Sequence, residues 1–313
     1  METMATRKTF GKTLKKLGAE REDFMVVDAD ISKSTYSCLF HEKFPERAHN
    51  LGIAEQNMMG VAAGIASTGI PVFATTYAVF ASMRSLEQIR TFICYPNLNV
   101  KIVASHGGLQ VSSDGVSHQG LEDIAIMRSL ANMTVVHPAD PFSTKKFVKQ
   151  ILEYEGPVYL RLLRNAVPVI YDKNTNFEIG KGIILNDHQQ AECTIFSCGL
   201  MVHKALEAAE QLKKENIFTR VVDLPTLKPI DKKLIIESAC KTKGVVTAED
   251  HNIIGGLGGA VSEILGENQP VPIKRIGIKD EFGESGEPEE LFTKYGMNVE
   301  HIVEAVKEVI KRK

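Results

Sequence analysis

The sequence predicts an α/β protein built from two doubly wound domains with mainly parallel sheets. Three observations support this class. Short runs rich in β-branched residues alternate with helical stretches, which is the pattern of parallel strands joined by crossover helices. The 313 residues exceed what one domain of ordinary size needs. A polar stretch at 171–190, YDKNTNFEIGKGIILNDHQQ, interrupts the alternation in mid-chain.

The elements before that stretch form the first predicted domain, residues 1–170. Its strands are predicted at 24–28, 71–76, 99–105, 133–137 and 157–162. Its helices are predicted near 6–20, 54–68, 78–93, 121–130 and 142–153. Residues 171–190 are predicted as a linker.

The elements after the linker form a smaller second domain, residues 191–313. Its strands are predicted at 193–199, 219–224, 244–250 and 271–277. Its helices are predicted near 201–215, 231–241, 257–266 and 298–311. GGLGG at 255–259 lacks the spacing of a dinucleotide-binding G-x-G-x-x-G, so we interpret it as a tight connection between a strand and a helix.

Composition and charge exclude several classes of protein. With 43% hydrophobic and 24% charged residues, the chain is an ordinary globular one rather than a disordered or fibrous one. Its 37 basic and 39 acidic residues give a net charge of −2, which provides no basic surface for nucleic-acid phosphates. The five cysteines are scattered and form no C-x-x-C pair, so neither a zinc site nor a disulfide framework is expected. A reducing cytoplasm is the expected location.

No membrane association is expected either. The basic N-terminus, METMATRKTFGKTLKKLG, lacks the apolar core of a signal peptide and is interpreted as a helix. No charged residue lies between Glu55 and Arg84, but polar residues, Gly and Pro interrupt that stretch. We therefore interpret it as a buried helix followed by a buried strand.

Glu55 is the first candidate functional residue. In LGIAEQNMMGVAAGIA (51–66) it begins a helix of small, uncharged residues. One interpretation is a half-solvated carboxylate favoured by the helix dipole. The other is a desolvated carboxyl that shares a proton with a heterocyclic nitrogen.

Two further segments carry candidate functional residues. Tyr77 and Phe80 lie three positions apart at the start of a predicted helix, so they share a face, as core aromatics often do. SHGGLQVSSDGVSHQG (105–120) is a Gly- and Ser-rich loop that contains His106, Asp114 and His118. Because it follows a parallel strand, this loop is expected at the sheet edge where α/β proteins bind ligands.

These segments, in this order, resemble the pyrimidine-binding and C-terminal domains of transketolase, in the split form whose other half is a separate polypeptide. The resemblance includes ATRK (5–8), the DAD at 28–30, GIAEQNMMG (52–60), TTYAVF (75–80) and SDGVSHQG (113–120). It continues through LLRN (162–165) to EDHNIIGGLGGA (249–260), so it covers essentially the whole chain. GIAEQ alone is shared with neighbouring thiamine diphosphate families, whereas the ordered set is specific.

The resemblance implies an enzyme that uses thiamine diphosphate to transfer a two-carbon ketol unit from a ketose phosphate to an aldose phosphate. It implies that Glu55 binds the ring nitrogen of the aminopyrimidine, which enables the exocyclic amine to take the proton from the thiazolium carbon. It also implies the remaining roles. Glu55, His106 and His118 would be catalytic; Tyr77, Phe80 and Asp30 would bind cofactor with Glu55; and Arg7, Ser34, His106, Asp114, His118 and Arg164 would bind substrate.

Two features depart from the family pattern. Met83 lies where an aromatic residue often extends the pyrimidine pocket. The G-D-G motif, which in this family holds the divalent metal and the diphosphate, does not occur in the sequence. The resemblance therefore implies no metal site in this chain. It implies a separate N-terminal subunit that carries Mg or Ca, and an assembly that is a dimer of heterodimers.

Three alternatives remain open from the sequence. The nearest enzymes are the beta subunit of a 2-oxoacid dehydrogenase and the corresponding half of deoxyxylulose phosphate synthase, because both use a similar Glu. His106, His118, Arg7 and Arg164 favour a phosphate-ended sugar channel over a site for a short oxoacid. The third alternative is an inactive α/β binding or regulatory subunit.

Overall fold

The computed structural model describes residues 3–312. The first half of the chain contains the elements β1 (Thr3–Ala5), α1 (Thr6–Glu20), β2 (Met25–Asp28), α2 (Ser32–Thr35), α3 (Cys38–His41), β3 (Ala48–Asn50), α4 (Glu55–Ala66), β4 (Val72–Tyr77), α5 (Leu86–Gln88), β5 (Val100–Ser105), α6 (Asp123–Ser129), β6 (Thr134–Val136), α7 (Pro141–Glu153), β7 (Val158–Arg161) and β8 (Ala166–Pro168). Two π-helical segments, Phe80–Arg84 and Ile89–Cys94, flank α5, and a 3-10 segment spans Leu109–Asp114.

The second half continues the same alternation of strands and helices. Its elements are β9 (Ile183–Asn186), β10 (Cys193–Ser197), α8 (Met201–Lys214), β11 (Thr219–Asp223), β12 (Thr226–Lys228), α9 (Lys232–Cys240), β13 (Gly244–Asn252), α10 (Leu257–Asn268), β14 (Ile273–Ile278), α11 (Pro288–Lys294) and α12 (Val299–Lys311).

The predicted fold class is confirmed. The first sheet has seven strands in the order β12-β6-β7-β5-β4-β2-β3, all parallel except β12. The second has five strands in the order β14-β13-β10-β11-β9, all parallel except β9. A separate antiparallel pair joins β1 to β8. In both large sheets an antiparallel edge strand extends a parallel one, as is common in doubly wound folds.

The stretch 171–190 is more than a linker. It contributes β9, which pairs with β11 at the edge of the second sheet. Tyr171 and Phe177 are buried against the core of the first sheet. In the other direction β12, from the second half of the chain, pairs with β6 of the first sheet. Both β9 and β12 are strands of three or four residues, which are too short to show a periodic pattern.

A hydrophobic core continues from the first sheet into the second. It contains Met58, Ala74 and Tyr159 from the first half together with Phe196 and Leu257 from the second. The two halves are therefore packed through shared apolar contacts as well as through β12. No helix within residues 3–312 is long and apolar enough to cross a membrane.

Helix packing places two candidate residues near each other. Gly11 of α1 lies so close to Tyr36 that an added Cβ would be 2.3 Å from the Tyr36 carbonyl oxygen. This approach brings the first turn of α1, with Arg7, against the segment after β2, with Ser34. GGLGG forms the predicted tight connection, because it joins β13 to α10. An added Cβ on Gly256 would lie 2.1 Å from the Glu249 carboxylate, which accepts hydrogen bonds from the first amides of α10.

Candidate active site

Most of the predicted site residues lie where parallel strands of the first sheet end. Asp30 and Ser34 follow β2, Tyr77 ends β4, and the loop with both candidate histidines follows β5. Arg164 follows β7. These strands are adjacent and point the same way, so their carboxyl ends form one edge, which is the usual ligand-binding edge of such sheets.

Aromatic rings and histidines form a cluster at this edge. The Tyr77 and His106 rings have centroids 4.0 Å apart, and Tyr77 stacks on Phe80 at 5.8 Å with a 23° angle between the planes. His118 presents an edge to Phe80 at 5.4 Å. Tyr77, Phe80 and His118 are only half buried, so their faces remain available to a ligand. The structure therefore brings together four residues that the sequence places in two separate segments.

Glu55 lies beside this cluster and pairs with an arginine that the sequence analysis missed. It is the first residue of α4 and its side chain is 2% exposed. Nη1 of Arg84 donates to both carboxylate oxygens, at 3.0 and 2.9 Å. The same guanidinium lies 4.2 Å from the centre of the Phe80 ring. Glu55 and Arg84 are the charged residues at the two ends of the long uncharged stretch. Their positions there could have suggested that they pair.

A basic group forms the other end of the cluster. Arg7 Nε donates to the Arg164 carbonyl at 2.8 Å, and Arg7 Nη1 donates to the Ser34 carbonyl at 2.6 Å. The contact of Ser34 with Arg7 is thus made by its backbone. Arg164 Nη1 in turn donates to the Val111 carbonyl at 2.5 Å. Two guanidinium groups are consequently fixed close together and only partly buried. This arrangement suits an anion that accepts hydrogen bonds from both of them.

His106 is a neutral imidazole in this environment. Its side chain is buried, and burial together with Arg7, Arg164 and His118 lowers its pKa to about 3. Its Nδ1 lies 2.8 Å from the Ser105 hydroxyl. At neutral pH, His106 can therefore contribute a hydrogen bond to a ligand but no positive charge.

Asp30 and Asp114 stand apart from this cluster. Asp30 is exposed and accepts a hydrogen bond from Asn50 Nδ2 at 2.7 Å. Asp114 is exposed at the end of the 3-10 segment. Within residues 3–312 neither carboxylate hydrogen-bonds to the aromatic and histidine side chains. Their predicted roles, near the thiazolium ring and at the sugar hydroxyls, therefore stay predictions.

The loop after β5 has an unusual backbone. His106 and Ser112 have φ angles of 61° and 66°, in the left-handed region that non-Gly residues rarely adopt. Gly108 and Gly115 also have positive φ angles, of 82° and 73°. Each non-Gly residue held this way costs about 1–3 kcal/mol, so neighbouring structure must stabilise the loop.

A buried ionic network lies beneath this loop. Arg161 and Asp123 are fully buried, with Arg161 Nε 2.8 Å and Nη2 3.1 Å from the Asp123 oxygens. Nη2 also donates to the carbonyls of Gly120 and Asp250. Burial opposes ionisation of Asp123, but the Arg161 guanidinium outweighs it and lowers the pKa of Asp123. This network, which the sequence analysis did not identify, joins the end of the loop to β13.

Comparison with known proteins identifies the family. Residues 2–169 match the family model for the transketolase pyrimidine binding domain, and residues 180–302 match that for the transketolase C-terminal domain. The chain belongs to the transketolase family. Enzymes of this family depend on thiamine diphosphate.

Three similar proteins match over nearly their whole length. A Methanocaldococcus jannaschii protein named for the C-terminal section of transketolase is 48% identical over 309 residues, covering 98% of this chain and 96% of that one. A Clostridium subunit named for 6-deoxy-6-sulfo-D-fructose transketolase is 41% identical, covering 94% and 91%. A solved split gene transketolase, described as an inactive beta4 tetramer, is 50% identical with a TM-score of 0.91, covering 98% of each chain.

The transketolase site residues suit the aminopyrimidine end of the cofactor. An aminopyrimidine needs a carboxyl at one ring nitrogen and an aromatic surface for stacking. Glu55 provides a buried carboxyl. Phe80, which contacts the Arg84 partner of Glu55, and Tyr77, which stacks on Phe80, provide half-buried rings. Among residues 3–312 no group of three or more His, Cys, Asp or Glu side chains is arranged to hold a metal ion.

Proposed function

We propose that this chain is the C-terminal subunit of a split transketolase that moves a two-carbon ketol unit from a ketose phosphate to an aldose phosphate. One observation carries the proposal. A continuous line of side-chain contacts runs from Glu55 through Arg84 and Phe80 to Tyr77 and His106. Arg7 and Arg164 lie at its far end, close enough to His106 to lower its pKa. A cofactor-binding acid and an anion-binding pair thus occupy opposite ends of one site.

Bound thiamine diphosphate would supply the nucleophilic carbon for ketol transfer. In our proposal Glu55 holds a proton at the pyrimidine nitrogen, and Phe80 and Tyr77 fix the plane of that ring. Asp30 would act on the thiazolium side of the bound cofactor. The diphosphate and its Mg or Ca ion would be held by a separate N-terminal subunit, so that the active site is shared between two polypeptides.

In our proposal the substrate end of the site selects an anionic sugar. Arg7 and Arg164 bind the terminal anion, and His106 adds a neutral hydrogen bond. His118 and Asp114 contact hydroxyls near the reacting carbons. The Clostridium relative is named for a sulfonated sugar, and a sulfonate resembles a phosphate in shape but has less negative charge. Phosphate is our first choice because two guanidinium groups match its charge more closely.

Exposed apolar side chains support a second subunit at this face. Met83 follows Phe80 in the same π-helical segment and is 47% exposed, and Ile53, just before Glu55, is 75% exposed. Large apolar side chains grouped around a polar site commonly become buried on association. We therefore place the partner contact here and expect a dimer of heterodimers.

The test is reconstitution with the matching N-terminal subunit. Ketol transfer from a panel of ketose phosphates is measured for the mixture and for each chain alone, with thiamine diphosphate and Mg. We expect turnover only in the mixture. Turnover by this chain alone, with contamination excluded by mass spectrometry, would contradict the shared site.

Two control measurements separate the alternative functions. Turnover with pyruvate in place of the ketose donor would favour the deoxyxylulose phosphate synthase or 2-oxoacid dehydrogenase interpretation. The absence of cofactor binding by calorimetry, even in the mixture, would favour an inactive binding or regulatory subunit.

A further inference from the structure

The loop that contains His106, Asp114 and His118 is held on one side by the C-terminal domain. The Leu109 amide donates to Asp250 Oδ1 at 2.9 Å. The Gln119 side chain donates to the Glu284 carbonyl at 2.9 Å, and the Ser112 hydroxyl donates to the Gly286 carbonyl at 2.9 Å. These three contacts are distributed along the loop, so the C-terminal domain supports it at both ends and in the middle.

The fit between loop and domain is close. An added Cβ on Gly108 would lie 2.0 Å from Asp250 Oδ2, and one on Gly283 would lie 2.1 Å from Gln119 Oε1. Both glycines therefore permit contacts that any other residue would block. The left-handed backbone at His106 and Ser112 is thus held against a preformed surface, which is how strained segments usually persist.

Asp250 is the central residue of this contact. It lies near the end of β13 and is buried, yet none of the proposed chemistry uses it. Its Oδ2 has no hydrogen-bond partner among residues 3–312. A buried carboxylate with an unpartnered oxygen is rare and needs an explanation. The other carboxylate oxygen, Oδ1, accepts from the Leu109 amide and so fixes the backbone three residues after His106. This contact gives the buried carboxylate a structural role.

We propose that Asp250 is a positioning residue through which the C-terminal domain holds the loop of residues 106–120 in its substrate-binding conformation. The proposal rests on the proposed function, because it assigns His106 and His118 to the substrate. It gives the C-terminal domain a role in activity without any contact with the cofactor.

The first experiment requires no activity. Hydrogen exchange of the isolated chain is followed by mass spectrometry in wild type, Asp250→Ala and Asp223→Ala. Asp223 is the matched control, because it is another buried aspartate of this domain but bonds to Tyr171 rather than to the loop. We expect the peptide containing Leu109 to exchange at least about tenfold faster in Asp250→Ala only, as for a lost hydrogen bond to a charged group. Equal loop exchange in the two variants would overturn the proposal.

The second experiment uses the reconstituted enzyme. Asp250→Ala should lower kcat/KM for the ketose donor about tenfold or more, while cofactor affinity by calorimetry stays within about twofold. Asp250→Asn keeps an oxygen acceptor for the Leu109 amide and should recover most of the loss. Equal losses in both variants, or a parallel loss of cofactor affinity, would assign Asp250 a merely structural role.

Gln119→Glu keeps the experiment decisive if Asp250→Ala does not fold. The substitution preserves the side-chain shape but removes the donor to the Glu284 carbonyl. It should speed hydrogen exchange in the loop and weaken binding of the ketose donor, as Asp250→Ala does. Unchanged hydrogen exchange in the loop would count against the proposal. If reconstitution gives no ketol transfer at all, the hydrogen-exchange result still decides whether the C-terminal domain holds the loop.

Discussion

Replacing Arg161 with Met tests the buried network beneath the active-site loop. Arg161 is fully buried and donates to both oxygens of Asp123. Met has similar length and no charge, so Arg161→Met largely preserves volume while leaving the Asp123 carboxylate buried. Among the described residues, that carboxylate would retain a single hydrogen-bond donor, the Tyr159 hydroxyl at 2.6 Å.

The structure sets the size of the expected loss. Breaking a buried ion pair by removing one partner costs about 3–5 kcal/mol. The carbonyls of Gly120 and Asp250 also lose a donor, which adds about 1 kcal/mol because Gly120 keeps its bond from the Gly108 amide. We expect a total near 4–6 kcal/mol. With an unfolding entropy of about 0.7 kcal/mol per kelvin for a chain of this length, Tm should fall by about 6–9 °C.

Thermal unfolding at pH 7, followed by circular dichroism, measures this loss. The double variant Arg161→Met with Asp123→Asn is the control. It leaves no uncompensated charge, so it should recover more than half of the lost Tm. A decrease below about 2 °C in the single variant, or no recovery in the double variant, would refute the argument that an unpaired carboxylate dominates.

Three further predictions concern the site itself. Glu55→Gln should lower ketol transfer by the reconstituted enzyme about 100- to 10,000-fold. Its Tm should stay within about 2 °C of wild type, since Arg84 is nearly half exposed and can turn to water. Wild-type turnover by this variant would remove Glu55 from the chemistry. Arg164→Ala should lower kcat/KM about 10- to 150-fold for phosphorylated or sulfonated donors and far less for neutral analogues; equal losses would mean that Arg164 mainly supports the loop through Val111. Burial lowers the pKa of His106 to about 3, so between pH 3 and 6.5 the folded state binds fewer protons than the unfolded state. The free energy of unfolding therefore decreases as pH falls through that range. Wild type should lose up to about 1.4 kcal/mol per pH unit relative to His106→Asn in that window, measured by urea unfolding; parallel profiles would contradict a neutral His106.

The sequence was informative where local pattern and burial agree. Strands such as β4 and β5 are buried on both faces, so their apolar runs stand out, and the polar loop after β5 was predicted from the His and Asp it contains. The aromatic pair and Glu55 were found in the same way. These features depend on neighbours in sequence, and the sheet then brings them together.

The remaining features depend on contacts between distant segments. The edge strands β9 and β12 are four and three residues long; β9 pairs with β11 of the second sheet, and β12 pairs with β6 of the opposite domain. Arg161 lies in the strand PVYLRL, where a buried charge contradicts the apolar pattern unless Asp123, 38 residues away, is known to meet it. The contact between Asp250 and the loop likewise joins two domains, so neither segment of the sequence indicates it by itself.

The two ends of the site differ in how completely this chain encloses them. At the anion end, Arg7 is held by Ser34 and Arg164, and His106 is buried, so every group is fixed within one polypeptide. At the end proposed for the cofactor, Glu55 is buried but its partner Arg84 is nearly half exposed, and Ile53 and Met83, close to them in sequence, are exposed. An ionic pair open to water is weak and easily rearranged, whereas it strengthens when a partner excludes the solvent. We therefore infer that the chain brings a finished anion-binding end to the assembly, and that its cofactor-binding end is completed only when a second subunit covers Glu55 and Arg84.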